Sequence, residues 1–290
     1  MYLSYNEACG RDCSSLEEDL ELCEKAGFDF IEIRFDMLQP YLEKHSLSEL
    51  RDFFQTSRLK PHALNALYVY DDFLGPEDDP QKQAELMKQF IFGCEACREI
   101  GSKYMIVVPP LQPNPAGGPY MGTREKTKEN CVRILDKLGQ MAEPYGVNLC
   151  FELVGFERSS VRSICQVADI VETVGRENVG YVFDSYNLYL NGGLNDFSEL
   201  KTVSASKIFA VHLMNGDDVP EQERGQDKRR FCGSGVVDIP AFLETLKSIG
   251  YNGMLSVETF RPEYWQRTPD WVVSEAYRTT YEAAKESGCL

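Results

Sequence analysis

Eight times along the chain, a short run of β-branched, aromatic and aliphatic residues gives way to a polar, amphipathic stretch of ten or more. The runs are LSYN at 3–6, FIEIR at 30–34, HALNAL at 62–67, YMIVV at 104–108, NLCFELV at 148–154, GYVFD at 180–184, IFAVHLM at 208–214 and MLSVE at 254–258. Alternation of this kind is the pattern of parallel βαβ units. Between the runs, SSLEEDLELCEKAG repeats Leu16, Leu20 and Cys23 at helical spacing and places Gly27 where a helix stops. QKQAELMKQFIFGCEACREIG and REKTKENCVRILDKLGQMAEPYG also end in glycine, and DIPAFLETLKSIG opens on Asp238 as an N-cap and closes on Gly250. No proline- or serine-rich linker interrupts the series. The expected architecture is therefore an α/β fold, a single (β/α)8 TIM barrel over residues 1–290, close to the roughly 250 residues typical of such barrels.

In a barrel of this kind the active site is built at the C-terminal ends of the strands. Three of the loops that follow strands are long: residues 109–122, 215–235 and 259–269. They are expected to roof a pocket. Each of the last four strand candidates carries one ionisable residue at or near its C-terminal end, namely Glu152, Asp184, His212 and Glu258. Burying any of them unpaired would cost several kcal/mol, so four converging on one mouth call for a shared cation. Three carboxylates and an imidazole make a mostly oxygen donor set for one divalent metal. Mn²⁺ is the first choice, with Mg²⁺, Co²⁺ or Zn²⁺ as the other candidates.

Such an ion can chelate two adjacent oxygens of a hydroxyketone, polarise the carbonyl and stabilise an enediolate. Glu152 and Glu258, on strands five and eight, are then placed to move a proton between neighbouring carbons or faces. The chemistry expected is that of an isomerase or epimerase acting on a small polyol ketone or keto-sugar.

Composition removes several other functions. A net charge of −16 with no basic patch beyond Lys228, Arg229 and Arg230 disfavours nucleic acid. No apolar stretch approaches the roughly 20 residues needed to cross a bilayer, and the N-terminus has no leader pattern, so a cytoplasmic protein is expected. The ten cysteines are spread from Cys9 to Cys289 and read as reduced packing thiols. Cys94 and Cys97 have CxxC spacing, but they lie in a helical pattern with no second pair and are read as packing residues too. The sequence leaves open whether barrels associate into a homo-oligomer.

The phrases DLELCEKAGFDFIEIR, HSLSELRDFFQTSRLKPHALNAL, AEPYGVNLCFELVG, ENVGYVFDS and LSVETFRPEY carry a resemblance. The chain resembles, nearly end to end, the bacterial inosose isomerases (2-keto-myo-inositol isomerases) of inositol catabolism, within the xylose isomerase-like sugar isomerases and epimerases. The resemblance implies the barrel, an isomerase of inososes, and metal ligands at Glu152, Asp184, His212 and Glu258. It also implies a substrate-binding role for Arg229, which stands before the glycine turn of RRFCGSG.

Two positions depart from the family pattern. Asn187 replaces a histidine in DSYN, so that position can hydrogen-bond substrate but cannot supply a proton at neutral pH. Met214 stands where the family has an acidic residue. His62, in a strand where the family motif is apolar, is read either as a packing histidine or as a substrate contact replacing the donor lost at Asn187. His45 is expected at the surface. Alternatives to an inosose isomerase are a ketose 3-epimerase using the same ligands, and a lyase or dehydratase acting on a keto-sugar or keto-glycoside. Three histidines are too few for the multinuclear zinc sites of related apurinic endonucleases. A binding protein without catalysis is the remaining reading.

Overall fold

Each strand candidate forms a strand. The computed structural model describes residues 1–71, 73–74, 79–112 and 118–290. Its barrel strands are β1 (Tyr2–Asn6), β2 (Phe30–Arg34), β3 (Lys60–Tyr68), β4 (Tyr104–Val108), β5 (Asn148–Glu152), β6 (Val179–Asp184), β7 (Ile208–His212) and β8 (Met254–Val257). All neighbours run parallel, and pairing of Tyr2–Tyr5 with Met254–Val257 closes the ring between β1 and β8. The runs NLCFELV and IFAVHLM overshoot: β5 ends on Glu152 and β7 on His212.

The outer ring comprises α1 (Leu16–Ala26), α2 (Phe35–Leu42), α3 (Leu47–Thr56), α4 (Pro80–Ile100), α5 (Arg124–Ala142), α6 (Ile164–Val174), α7 (Ser185–Leu188), α8 (Ile239–Ser248), α9 (Pro262–Trp265) and α10 (Pro269–Glu286). Local chemistry sets their ends. Ser15 accepts from the Glu18 N–H at the start of α1, and Gly27 stops it at a φ of 111°, where a side chain would be strained. Reciprocal capping boxes, Ser46 with Glu49 and Ser163 with Gln166, open α3 and α6.

The regular series breaks in two places. Two helices, α2 and α3, join β2 to β3. The crossover from β6 to β7 has no long helix; α7 continues into a π turn at Tyr189–Gly193 and a 3₁₀ turn at Ser198–Thr202. The seam is held by Phe28, fully buried and set edge-on to Tyr277 of α10 at 5.1 Å. Burial of such a ring stabilises by about 2–3 kcal/mol.

Strand alternation sorts the interior into levels, because every second side chain points inward. On β2, Phe30 lies at the bottom of the barrel, Glu32 in the middle and Arg34 at the mouth, while Ile31 and Ile33 face the helices. The corresponding positions on the other strands give a mostly apolar interior, with Ala63, Ile106, Cys150, Val182, Ala210 and Met254 in one buried cluster. The top level is polar: Asn6, Arg34, Asn65, Glu152, Asp184, His212 and Glu258, all buried. Cys94 and Cys97 are buried free thiols in α4, as are most of the other cysteines, and none is paired. Among the described residues no helix is long and apolar enough to cross a membrane.

Candidate metal centre

Glu152, Asp184 and His212 are the last residues of three successive strands, and Glu258 follows β8 directly. One donor atom from each lies within 4.8 Å of all the others, and all four residues are buried. No other group of three or more such donors gathers in this way among the described residues.

The fold fixes which atom of each residue faces the cluster. Asp184 Oδ1 caps α7 by accepting from the Asn187 N–H at 2.7 Å, which turns Oδ2 inward. Glu258 Oε1 accepts from the side-chain amides of Asn6 at 3.0 Å and Asn65 at 3.3 Å, leaving Oε2 to the centre. His212 Nε2 lies 3.0 Å from Glu32 Oε2, so the N–H belongs on Nε2. Its Nδ1 faces Glu152 Oε1 at 3.5 Å and Glu258 Oε2 at 3.4 Å, with no hydrogen-bond partner. Three carboxylate oxygens and one unmatched imidazole nitrogen, buried and mutually close, fit a divalent cation.

Glu32 was not singled out in the sequence. It is fully buried between Ile31 and Ile33, and it accepts from Asn6 Nδ2 at 2.6 Å as well as meeting His212. Burial works against its charge, but His212 and His62 outweigh that and hold its carboxyl well below the usual range.

Burial pushes Glu152 the other way, up to about 7, with Glu258 and Asp184 adding repulsion and His212 offsetting part of it. Burial also opposes a charged His212, yet Glu258 and Glu32 raise it well above the ordinary imidazole range. Both groups therefore hold protons that a cation must displace. Affinity for Mn²⁺ is expected to climb at least about tenfold per pH unit up to about pH 7. Titration calorimetry at about pH 5.5 and about pH 7 measures this; equal affinities would contradict the assignment of both side chains as ligands.

The roof forms as the long loops suggest in two of the three cases. In the loop after β7, Asn215–Gly216 pairs antiparallel with Arg229–Arg230, which drops Arg229 into the mouth. Its Nη1 lies 2.8 Å from Asp184 Oδ2 and 2.8 Å from Glu258 Oε2. Burial lowers the Arg229 pKa, but these carboxylates outweigh it and raise it. The loop after β8 lays the Phe260 ring against Arg229 and stacks Tyr264 on Phe231 at 4.2 Å. In the loop at 109–122, residues 113–117 lie outside the described residues.

Of the other two expected substrate contacts, Asn187 lies beside the cluster and His62 far from it. Asn187 accepts from the Gly155 N–H at 3.2 Å and donates to Glu152 Oε1 at 3.3 Å, so its amide braces a cluster carboxylate. The approach needs Gly155, where an added Cβ would collide with the Asn187 carbonyl oxygen. His62 is a correction: it sits near the start of β3, at the opposite end of the barrel from the mouth. There it stacks on Tyr104 at 4.8 Å and lines a cavity of about 610 Å³ with Tyr2 and Phe30. Its Nδ1 lies 3.7 Å from Glu32 Oε1, so Glu32 separates it from His212. Met214 packs its sulfur 3.8 Å from Arg229 Nη1 and 3.5 Å from Ser185 Oγ.

A family model described as the xylose isomerase-like TIM barrel matches residues 20–275. The inosose isomerase of Bacillus velezensis is 39% identical over 281 residues, 97% of this chain and 96% of its own. The inosose isomerase of Bacillus subtilis is 37% identical over 287 residues, 99% of each chain. The crystal structure of the IolI protein with a binding zinc atom superposes with a TM-score of 0.89 at 36% identity, covering 99% of both chains. Fold, donor cluster and relatives define an enzyme of the isomerase and epimerase class. The chain belongs to the inosose isomerase family of the xylose isomerase-like TIM barrels.

Proposed function

We propose that the 290-residue chain works as one barrel domain that isomerises inososes, with Glu152, Asp184, His212 and Glu258 holding one divalent metal, Mn²⁺ in preference to Mg²⁺, Co²⁺ or Zn²⁺. The observation that carries this reading is the convergence of the four donors, two of them carboxylates with one oxygen turned inward. A cation bound there supplies Lewis-acid polarisation of a substrate carbonyl.

The chain's residues supply the rest. Glu152 takes the proton from the hydroxyl-bearing carbon next to the carbonyl, and the electron pair of that C–H bond enters an enediolate. Glu258, protonated at the start, gives its proton to the former carbonyl carbon, and the hydroxyl proton passes between the two oxygens, so carbonyl and alcohol exchange places; Glu152 then releases a proton to water and Glu258 takes one up, which resets the pair. Arg229, against both Asp184 and Glu258, is the donor we assign to the oxygen that carries the developing charge. Asn187 keeps Glu152 aimed rather than protonating a leaving group, which supports isomerisation over the lyase reading.

The test offers inososes, free ketohexoses and 3-keto-glycosides to Mn²⁺-loaded protein in D₂O. Deuterium is expected to enter the inosose on carbon with formation of the isomeric ketone. Preferential exchange into ketohexoses would favour a ketose 3-epimerase, and appearance of an enone from a keto-glycoside would favour a lyase.

A further inference from the structure

Arg34 ends β2 on the inward face, two residues beyond Glu32 and in register with Asn65. It is only 8% exposed, and most of its donors are matched. Its Nε and Nη2 donate to the two oxygens of Asp36 at 2.8 and 2.9 Å, and its backbone N–H donates to Glu7 Oε2 at 2.7 Å. Nη1 alone is buried without a hydrogen-bond partner. Leaving a buried guanidinium N–H unmatched is costly, so the position calls for an acceptor that arrives from outside the chain.

The surroundings say where that acceptor is. Asn65, beside Arg34 on β3, donates to Glu258 Oε1. The Arg34 guanidinium lies 5.5 Å from the centroid of Phe260, the ring that also carries Arg229 at 5.4 Å. The two arginines thus share one aromatic wall of the mouth. Arg229 is turned to Asp184 and Glu258, whereas Arg34 is locked by Asp36 on the β2–β3 side, away from β5 and β6. Tyr68, at the inward-facing end of β3 and half exposed, completes that side of the rim.

We propose that Arg34 is a substrate-binding residue whose Nη1–H donates to a hydroxyl of the polyol ketone remote from the reacting carbon pair. Asp36 neutralises the guanidinium, and the carboxylates of the cluster dominate the field around it. A neutral hydroxyl therefore fits this donor better than a phosphate or carboxylate. A cyclic polyol carries hydroxyls on the far side of its ring, so one ligand can reach both the metal cluster and Arg34. The two-pronged Asp36 contact sets where Nη1 points and lets the residue discriminate by reach, which selects whole polyol rings over short hydroxyketones.

The inference rests on the isomerase reading, and the test separates the two. Mn²⁺-loaded wild type, Arg34→Met and Arg34→Lys are compared for deuterium exchange into 2-keto-myo-inositol, D-fructose and dihydroxyacetone, with Mn²⁺ affinity measured by calorimetry. Dihydroxyacetone keeps adjacent carbonyl and hydroxyl oxygens but has no remote hydroxyl. For Arg34→Met, KM for the inositol ketone is expected to rise about 10–100-fold, with dihydroxyacetone exchange and Mn²⁺ affinity unchanged. Arg34→Lys is expected to recover part of the loss. An unchanged KM, or an equal loss on both ketones or of Mn²⁺ affinity, overturns the assignment. A wild type inert towards 2-keto-myo-inositol but active on D-fructose overturns the inosose reading alone, and Arg34 is then judged by the same contrast between D-fructose and dihydroxyacetone. Exchange into none of the three overturns both.

Discussion

Glu258→Gln is expected to lower the isomerisation rate by about 10³-fold or more while the barrel stays folded. The amide oxygen can keep the hydrogen bonds that Glu258 Oε1 accepts from Asn6 and Asn65. The amide nitrogen then stands where Oε2 faces Arg229 Nη1 at 2.8 Å and His212 Nδ1 at 3.4 Å. A donor meets the Arg229 donor, the cluster loses one negative charge, and the group that protonates the second carbon is gone. Removing a charge from a crowded set of carboxylates also relieves repulsion, so thermal stability should change little compared with activity. Glu152→Gln provides the comparison. If it retains exchange at the donor carbon while Glu258→Gln does not, the assigned direction of proton transfer is reversed. If neither variant loses exchange, the pair is not the acid and base.

The cluster was legible because a strand read as apolar cannot end on an ionisable residue without a partner, and four consecutive strands did so. The same reasoning applied one level lower reaches Glu32. A glutamate between Ile31 and Ile33 in a strand buried on both faces must point into the barrel. What hides it is its place in mid-strand, where it acts through His212 rather than from a strand end. Arg34 was hidden differently, because a basic residue closing FIEIR reads as an ordinary end to a buried strand. Its value depends on Asp36, which occupies some of the guanidinium's donors and leaves Nη1 unmatched. No sequence spacing shows which N–H remains free.

His62 shows the opposite failure. Alternation with the inward-facing Ala63 and Asn65 would turn it outward, and only the register shift beside it, between Ile31 and Glu32, brings it in; nor could its height be judged from HALNAL, because β3 starts at Lys60 and runs on to Tyr68. A residue near the start of a nine-residue strand lies far below the mouth, since each residue adds about 3.3 Å. Asn187 fell between these cases: its proximity to Asp184 was plain, whereas the turn that aims its amide at Glu152 depends on the backbone approach at Gly155.

The loss expected from Glu32→Gln is of another kind, and it tests whether the middle level of the barrel governs the top. Gln keeps the shape and an acceptor for His212 Nε2 and Asn6 Nδ2, which lie 3.0 and 2.6 Å from the present carboxylate. What disappears is the negative charge that makes His212 a stronger donor through Nδ1 and holds its ring in one orientation. Changes of this sort behind a ligating histidine typically weaken metal affinity about 10–100-fold. Mn²⁺ titration should therefore show a weaker site in Glu32→Gln, with turnover largely restored when the metal is raised to saturation. That pattern separates Glu32 from Glu258, whose loss excess metal cannot restore because the proton-delivering group itself is missing. Full affinity with a lost turnover would instead place the Glu32 charge in the chemical step, and the assignment of His212 through Glu32 would fail. The two variants differ by one level in a single stack of inward side chains, so their contrast locates where binding the metal ends and moving the proton begins.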